Sequence, residues 1–205
     1  MLGFRIPKAG KKDRNPYSEE QIRVLLKNLQ KYRYGLVIRL LAITGARAGE
    51  ILGLCEDAVN FQNNSITIRR TMNLQTGRLK EEPKTSNSYR TITLDDETME
   101  QLRFFIENRK KERKVSQLQK EKSLIFLTQK GNPVRYSTIQ KTWKSVLKKS
   151  KLDFIRIHDI RHSVITLLLT RGNSVIEVAS LVGQDVNTTT SKYAHLVRKG
   201  NAVRY

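Results

Sequence analysis

Apolar residues along this chain recur at two different periods, and the changes of period mark out its elements. Ser18 and Gln21 stand at capping-box spacing, and Ile22, Leu25, Leu26 and Leu29 then share one helical face, so a helix is predicted to begin there. Leu36, Val37, Leu40 and Leu41 predict a second helix, interrupted at Thr44-Gly45 beside Arg47 and resumed by a short turn over RAGEILGL. Beyond Cys55 the period becomes alternating. Val59 and Phe61, a turn at Asn63-Asn64, Ile66 and Ile68, and later Ile92 and Leu94 predict short antiparallel strands. The segment NLQTGRLKEEPKTSNSY between the last two is too polar for a core and reads as a long hairpin connection. Helical spacing returns with Met99, Leu102, Phe105 and Ile106, and a heavily charged stretch follows through Lys122. Leu124 to Leu127 predict one more strand, closed by Gly131-Asn132-Pro133. The rest is helical: Ile139, Trp143, Val146 and Leu147; then Ile160, Val164, Leu167 and Leu168 up to Gly172; then a second capping box, Ser174 with Glu177, up to Gly183. Asn187 is expected to cap a last short helix carrying Tyr193. No internal repeat or low-complexity tract is present.

Composition narrows what such a helical chain with a few strands meets. The 205 residues hold 39 Lys or Arg against 19 Asp or Glu, a formal charge of +20 with a pI near 10.3, which points to a polyanionic partner. An apolar share of 38% supports a core and excludes a mostly disordered chain. No window approaches a membrane span and MLGFRIPKAGKK lacks the apolar stretch of a signal peptide, so a cytoplasmic protein is expected, and nucleic acid rather than a membrane surface. Cys55 is the only cysteine; alone it makes no intrachain disulfide, and with three histidines (His158, His162, His195) it does not make up a zinc cluster, so metal-free chemistry is the expectation. Residues 1–16 carry Lys8, Lys11, Lys12 and Arg14 without an apolar period and read as a basic linker or arm before a domain at 17–205.

No GxxxxGK[ST], GxSxG or HExxH occurs, which leaves ATP hydrolysis, serine esterase and zinc protease readings unsupported. His158 and Arg161 are three apart on one predicted helix face, so both can meet a single phosphate. Five segments then carry a resemblance: TGARAGEILGL (44–54), PKTSNSYRTITL (83–94), HDIRHSVITLLLTRG (158–172), EVASLVGQ (177–184) and TTTSKYAHL (188–196). In this order and spacing, from about Pro16 to Leu196, the chain resembles the catalytic domain of the tyrosine recombinases, or phage-type integrases, in the style of Gram-positive phages and integrative elements. The resemblance implies an α+β fold, mostly helical with a small antiparallel sheet on one edge. It also implies a site-specific recombinase that cuts and rejoins DNA by metal-free transesterification through a 3′-phosphotyrosine, without cofactor.

By the same resemblance, Arg47 and Arg161 clamp the phosphate, and Lys84, on the hairpin, binds the phosphate and protonates the leaving 5′ oxygen. His158 hydrogen-bonds the phosphate and helps move the nucleophile's proton, and Tyr193, nine residues after Gln184, is the nucleophile. Glu50 reads as a structural partner of a buried arginine, His162 and His195 as local structure, and Tyr205 as a competing phenol without a motif. Gln184 departs from the family, where His or sometimes Trp stands; an amide donates a hydrogen bond but does not exchange a proton near pH 7. That departure motivates the alternative of a DNA-binding protein on the recombinase scaffold with weak or lost catalysis. A basic RNA-binding protein explains the charge but not five ordered motifs. The implied partners are double-stranded DNA, further copies of the chain in a tetramer on paired sites, and an excisionase or other DNA-bending accessory protein. A helical core-binding domain that precedes the catalytic domain in family integrases is expected to be absent here, as in an excised catalytic domain or a compact member such as the fimbrial-switch invertases.

Overall fold

Both capping boxes form as the spacing predicts. In the computed structural model, which describes residues 15–81, 89–112 and 124–201, Ser18 Oγ accepts from the Gln21 N–H and the Gln21 carboxamide accepts from the Ser18 N–H, opening α1 (Glu19–Lys27). Ser174 and Glu177 make the same exchange at the start of α7 (Val175–Val182). The helix α2 (Gly35–Thr44) is apolar on all sides and nearly every residue in it is buried, because it runs through the centre of the molecule. Its one charged residue, Arg39, is accommodated by Thr98 Oγ1 at 2.7 Å and by the carboxylates of Asp95 and Glu97.

The interruption predicted at Thr44-Gly45 is a helix end. Gly45 adopts a left-handed conformation (φ 63°), and a side chain there would also crowd Val182 and Val164 at 3.0–3.2 Å. The chain then turns into the short α3 (Ala48–Leu52). Strands β1 (Val59–Asn60), β2 (Ser65–Ile68) and β5 (Arg90–Thr93) form an antiparallel sheet in that order, with Ile66 opposite both Val59 and Ile92. Ile66, Ile68 and Ile92 face the core while Thr67 and Thr91 pair on the solvent face, as alternation requires.

Three expectations are corrected. The polar segment after Met72 is not merely a connection: β3 (Arg70–Met72) and β4 (Leu79–Glu81) pair as a separate hairpin, and Asn73 Oδ1 organises its turn by accepting from the Gln75 and Thr76 N–H groups. Leu124 to Leu127 is buried but forms only isolated bridges, Cys55 to Leu124 and Leu127 to Pro133, since it runs past single residues rather than along a strand. The last helix is long, α8 (Val186–Asn201), and its cap is Asp185, whose carboxylate accepts from the Thr188 N–H at 2.9 Å; Asn187 lies inside it.

The remaining helices are α4 (Asp96–Glu112), α5 (Tyr136–Ser150) and α6 (Ile157–Thr170). One large core gathers α1 to α5, the first turn of α6 and the three-stranded sheet. A smaller one, Ile165, Leu169, Val178, Val182 and Tyr193, joins α6, α7 and α8. The helical domain with small antiparallel sheets thus matches the expected fold class. No helix among the described residues is long and apolar enough to cross a membrane. Most of the basic arm, the charged stretch past Glu112, Lys84 and Tyr205 lie outside the described residues.

Candidate active site

Arg47 is the N-cap residue of α3, set there by the Gly45 turn, with half of its side chain exposed to solvent. Glu50, one turn on and only 2% exposed, holds it in place: one carboxylate oxygen accepts from the Arg47 N–H and the other from its guanidinium, both at 2.8 Å. Glu50 also receives Arg90 Nη2 at 2.6 Å, so this carboxylate bridges α3 and β5. Burial pushes the Glu50 carboxyl up, but the Arg90 and Arg47 contacts together outweigh it and hold it below the usual range. Glu50 is thus placed as the structural partner expected, and the buried arginine it serves is Arg90.

Arg90 escaped the sequence reading, although it stands in the SYRTITL segment. It donates from Nε to the Leu181 carbonyl at 2.8 Å and lies where a side chain on Gly183 would have to go, 2.3 Å from the Cβ position. Gly183 also has φ +65°, so backbone conformation and packing both require glycine.

Arg161 is 4% exposed and points across α6 to two chain turns. Its Nη1 donates to the carbonyls of Gly45 (2.8 Å) and Val182 (2.5 Å), and its Nη2 makes longer contacts to Gly183 O (3.4 Å) and Gln184 Oε1 (3.3 Å). Burial, with the charge of Arg47 next, lowers Arg161 to about 10, which leaves it cationic at neutral pH. Because a guanidinium only donates, the Gln184 amide must turn its oxygen to Arg161, and its nitrogen remains a donor.

His158 stands exposed in the first turn of α6, three residues before Arg161. That turn is anchored by Trp143 Nε1, which donates to the Ile155 carbonyl at 2.7 Å. Burial, then Arg161, lowers the His158 pKa. Arg47, His158 and Arg161 line one cleft of about 410 Å³, with Thr71, Met72 and Tyr136 on its other sides. A second groove of about 1120 Å³ shares Met72, Leu74 and Tyr136 with it and carries Arg33, Lys130 and Arg135.

Tyr193 does not line the cleft. It sits at a break in α8 (φ −115°, ψ 16°), 4% exposed, with its ring in the smaller core. Its hydroxyl meets His162 Nδ1 at 2.5 Å, and the far nitrogen of that ring, Nε2, is 3.0 Å from Lys192 Nζ. Burial raises Tyr193 to about 12, against an opposing pull from Arg161. His162, expected to be local structure pointing elsewhere, therefore touches the candidate nucleophile. Its place directly after Arg161 was legible, but the pairing needs α8 folded back on α6. No three His, Cys, Asp or Glu side chains gather as metal ligands among the described residues.

The integrase of transposon Tn1549, solved in complex with a circular intermediate DNA, superposes with a TM-score of 0.77 at 22% identity, over 94% of this chain and 66% of that one. The XerA recombinase structure superposes with a TM-score of 0.69 at 18% identity, over 98% and 68%. The fold is therefore that of a tyrosine recombinase catalytic domain. The chain belongs to the phage integrase family, whose model matches residues 17–199. It is 32% identical to the tyrosine recombinase XerA of Saccharolobus solfataricus (94% of this chain, 56% of the relative) and 28% identical to a XerC-like tyrosine recombinase of Caldanaerobacter subterraneus (91% and 52%). The integrase of Staphylococcus phage L54a is 29% identical over 86% of this chain and 52% of its own. The chain thus spans about half the length of these relatives.

Proposed function

We propose that this chain cuts and rejoins DNA strands. The Tyr193 oxygen attacks a backbone phosphorus, the bond to the 5′ oxygen breaks, and the products are a 3′-phosphotyrosine and a 5′-hydroxyl; attack by a 5′-hydroxyl reverses the step. The observation that carries this reading is the convergence of Arg47, His158 and Arg161 on one cleft, with Tyr193 held by the residue next to Arg161.

Charge on the two non-bridging oxygens is met by Arg47, whose half-exposed fork reaches into the cleft, and by Arg161, whose long Nη2 contacts are the ones a phosphate oxygen displaces most cheaply. His158 and the Gln184 amide nitrogen add donors. Lys84, in the family segment after β4, supplies the proton for the leaving oxygen. The groove with Arg33, Lys130 and Arg135 extends the cleft as a track for the duplex, which fits the charge of +20. Double-stranded DNA is the substrate, in the cytoplasm, and copies of the chain meet on paired sites with an excisionase or DNA-bending partner.

Gln184 and the buried hydroxyl favour a second reading, a DNA-binding scaffold that does not cleave. One experiment separates the two. The chain is incubated with a randomised duplex library, stopped with detergent, and its DNA adducts are digested and mapped by mass spectrometry. A phosphotyrosine on Tyr193, lost in Tyr193→Phe with binding kept within a few-fold, supports cleavage. Retention of DNA without any adduct supports the scaffold, and an adduct on Tyr205 overturns the nucleophile.

A further inference from the structure

We infer that Lys192 and His162 act as a pair that donates a hydrogen bond to the Tyr193 oxygen, holding the nucleophile and stabilising it as phenolate. The inference rests on the DNA-cleavage reading for its consequence, but the hydrogen-bond direction stands on geometry alone. A neutral imidazole has one N–H and one lone pair, so the two partners of the His162 ring decide each other's roles. Lys192 Nζ is 3.0 Å from Nε2, and an ammonium has three donors and no acceptor; Nε2 must therefore accept. The ring proton is left on Nδ1. That N–H points at the Tyr193 oxygen 2.5 Å away, and the oxygen accepts.

The opposite arrangement, with His162 taking the phenol proton as a general base, would need a bare Nδ1 and an N–H on Nε2 aimed at an ammonium. The groups around His162 oppose that use too. Burial, then Lys192 and His158, push its pKa to about 4, with Arg161 acting the same way and only Asp159 against them. The His158 ring packs near-perpendicular to it, with the ring centres 5.4 Å apart. A ring this hard to protonate is a poor proton acceptor and a good fixed donor.

The consequence for chemistry is specific. When the Tyr193 proton leaves, a transfer in which His158 and not His162 takes part, the phenolate is met by an N–H already in position, backed by a cation on the far side of the ring. His162 stays neutral throughout, and Lys192 acts through the His162 ring. This is a positioning role for Lys192 and a direct one for His162.

The test uses the whole chain. Long-range proton–nitrogen NMR on ¹⁵N-histidine protein, with the three histidines assigned by single substitutions, reads which His162 nitrogen carries the proton. Protonated Nδ1 is expected; protonated Nε2 overturns the inference. The second readout is the initial rate of Tyr193 adduct formation on a duplex recovered from the library, at saturating DNA. His162→Leu, which removes a donor to an ionised oxygen, should slow it about 10- to 100-fold, and His162→Asn, whose amide nitrogen can occupy the Nδ1 position, should recover most of that loss.

Lys192→Glu carries the sign. A carboxylate accepts from Nε2–H, flips the tautomer and turns a lone pair on the phenolate, so this variant should react more slowly than Lys192→Gln. If Lys192→Glu is faster than Lys192→Gln, a bare Nδ1 serves the reaction better than an N–H there, and the stabilising role inferred for that N–H is wrong. If the unmodified chain forms no adduct at all, the cleavage reading fails, while the NMR result still decides the hydrogen bond.

Discussion

Gln184 separates donating a hydrogen bond from exchanging a proton. Its oxygen is committed to Arg161 and its nitrogen can donate, so Gln184→His replaces one donor by another and should change the cleavage rate by less than about tenfold, or ~1.4 kcal/mol in barrier. A gain of several hundredfold in a single-turnover assay would instead mark this chain as a weakened catalyst. The proposed role of Lys84 is distinguished by the atom it would serve. Lys84→Ala should cut the rate by roughly 10²–10⁴, the usual worth of a general acid. On DNA with sulfur in place of the bridging 5′ oxygen, the leaving thiolate needs no proton and most of that defect should vanish. The defects of Arg47→Ala and Arg161→Ala should persist on the same substrate, as the proposed action of both arginines on the non-bridging oxygens requires. A Lys84→Ala defect that sulfur leaves unrelieved moves this lysine to binding.

At the scale of elements, α6 carries most of the site: His158, Arg161 and His162 lie within two of its turns, and α8 closes over it through Tyr193. Packing two histidines neutral at this junction makes stability depend on pH. Folded His162 titrates near 4 against a usual value of 6.5, and His158 is lowered as well, so between pH 7 and 5 the unfolded chain binds protons that the folded one refuses. Stability is full above pH 6.5 and falls as pH drops below it. Allowing for the partial solvent contact of His162, the loss by pH 5 is about 1 kcal/mol, a fall in Tm of roughly 2–4 °C. Glu50, Asp95 and Asp159, all held low, add their losses only near and below pH 4.5. Thermal melts at pH 7 and 5 check this, and His162→Leu should flatten the difference; equal melting temperatures would mean that His162 is not kept neutral by the fold.

For the whole molecule the dominant quantity is a charge of +20, and the groove that shares residues with the cleft contributes Arg33, Lys130 and Arg135 to it. DNA binding should be carried by phosphate contacts and fall steeply with salt, with a log-log slope near −0.9 for each phosphate neutralised. Titrations at several salt concentrations give the slope directly; a value near zero would sink the nucleic-acid reading. The chain spans about half the length of its relatives, so the expected slope is that of residues 1–205.

Much of this architecture is local, and local features were readable along the chain. The capping boxes at Ser18 and Ser174, the helix end at Gly45 and the alternation through Ile66, Ile68 and Ile92 each depend on neighbours within a few residues, so spacing alone specifies them. Arg47, His158, Arg161, Gln184 and Tyr193 were singled out for a different reason, five motifs in one order that carry a family's pattern, and the first three line one cleft. The hairpin β3–β4 was not, because its residues are too polar to show a buried period and pair mainly through backbone. Nor was the single bridge at Leu124, whose partner Cys55 is distant in sequence. What only the tertiary packing settled is which side chains face one another: Arg90 of β5 with Glu50 of α3, and Lys192 and Tyr193 of α8 with His162 of α6. Those contacts span 30 to 40 residues, and no periodicity along a chain encodes the direction in which two distant helices turn their faces.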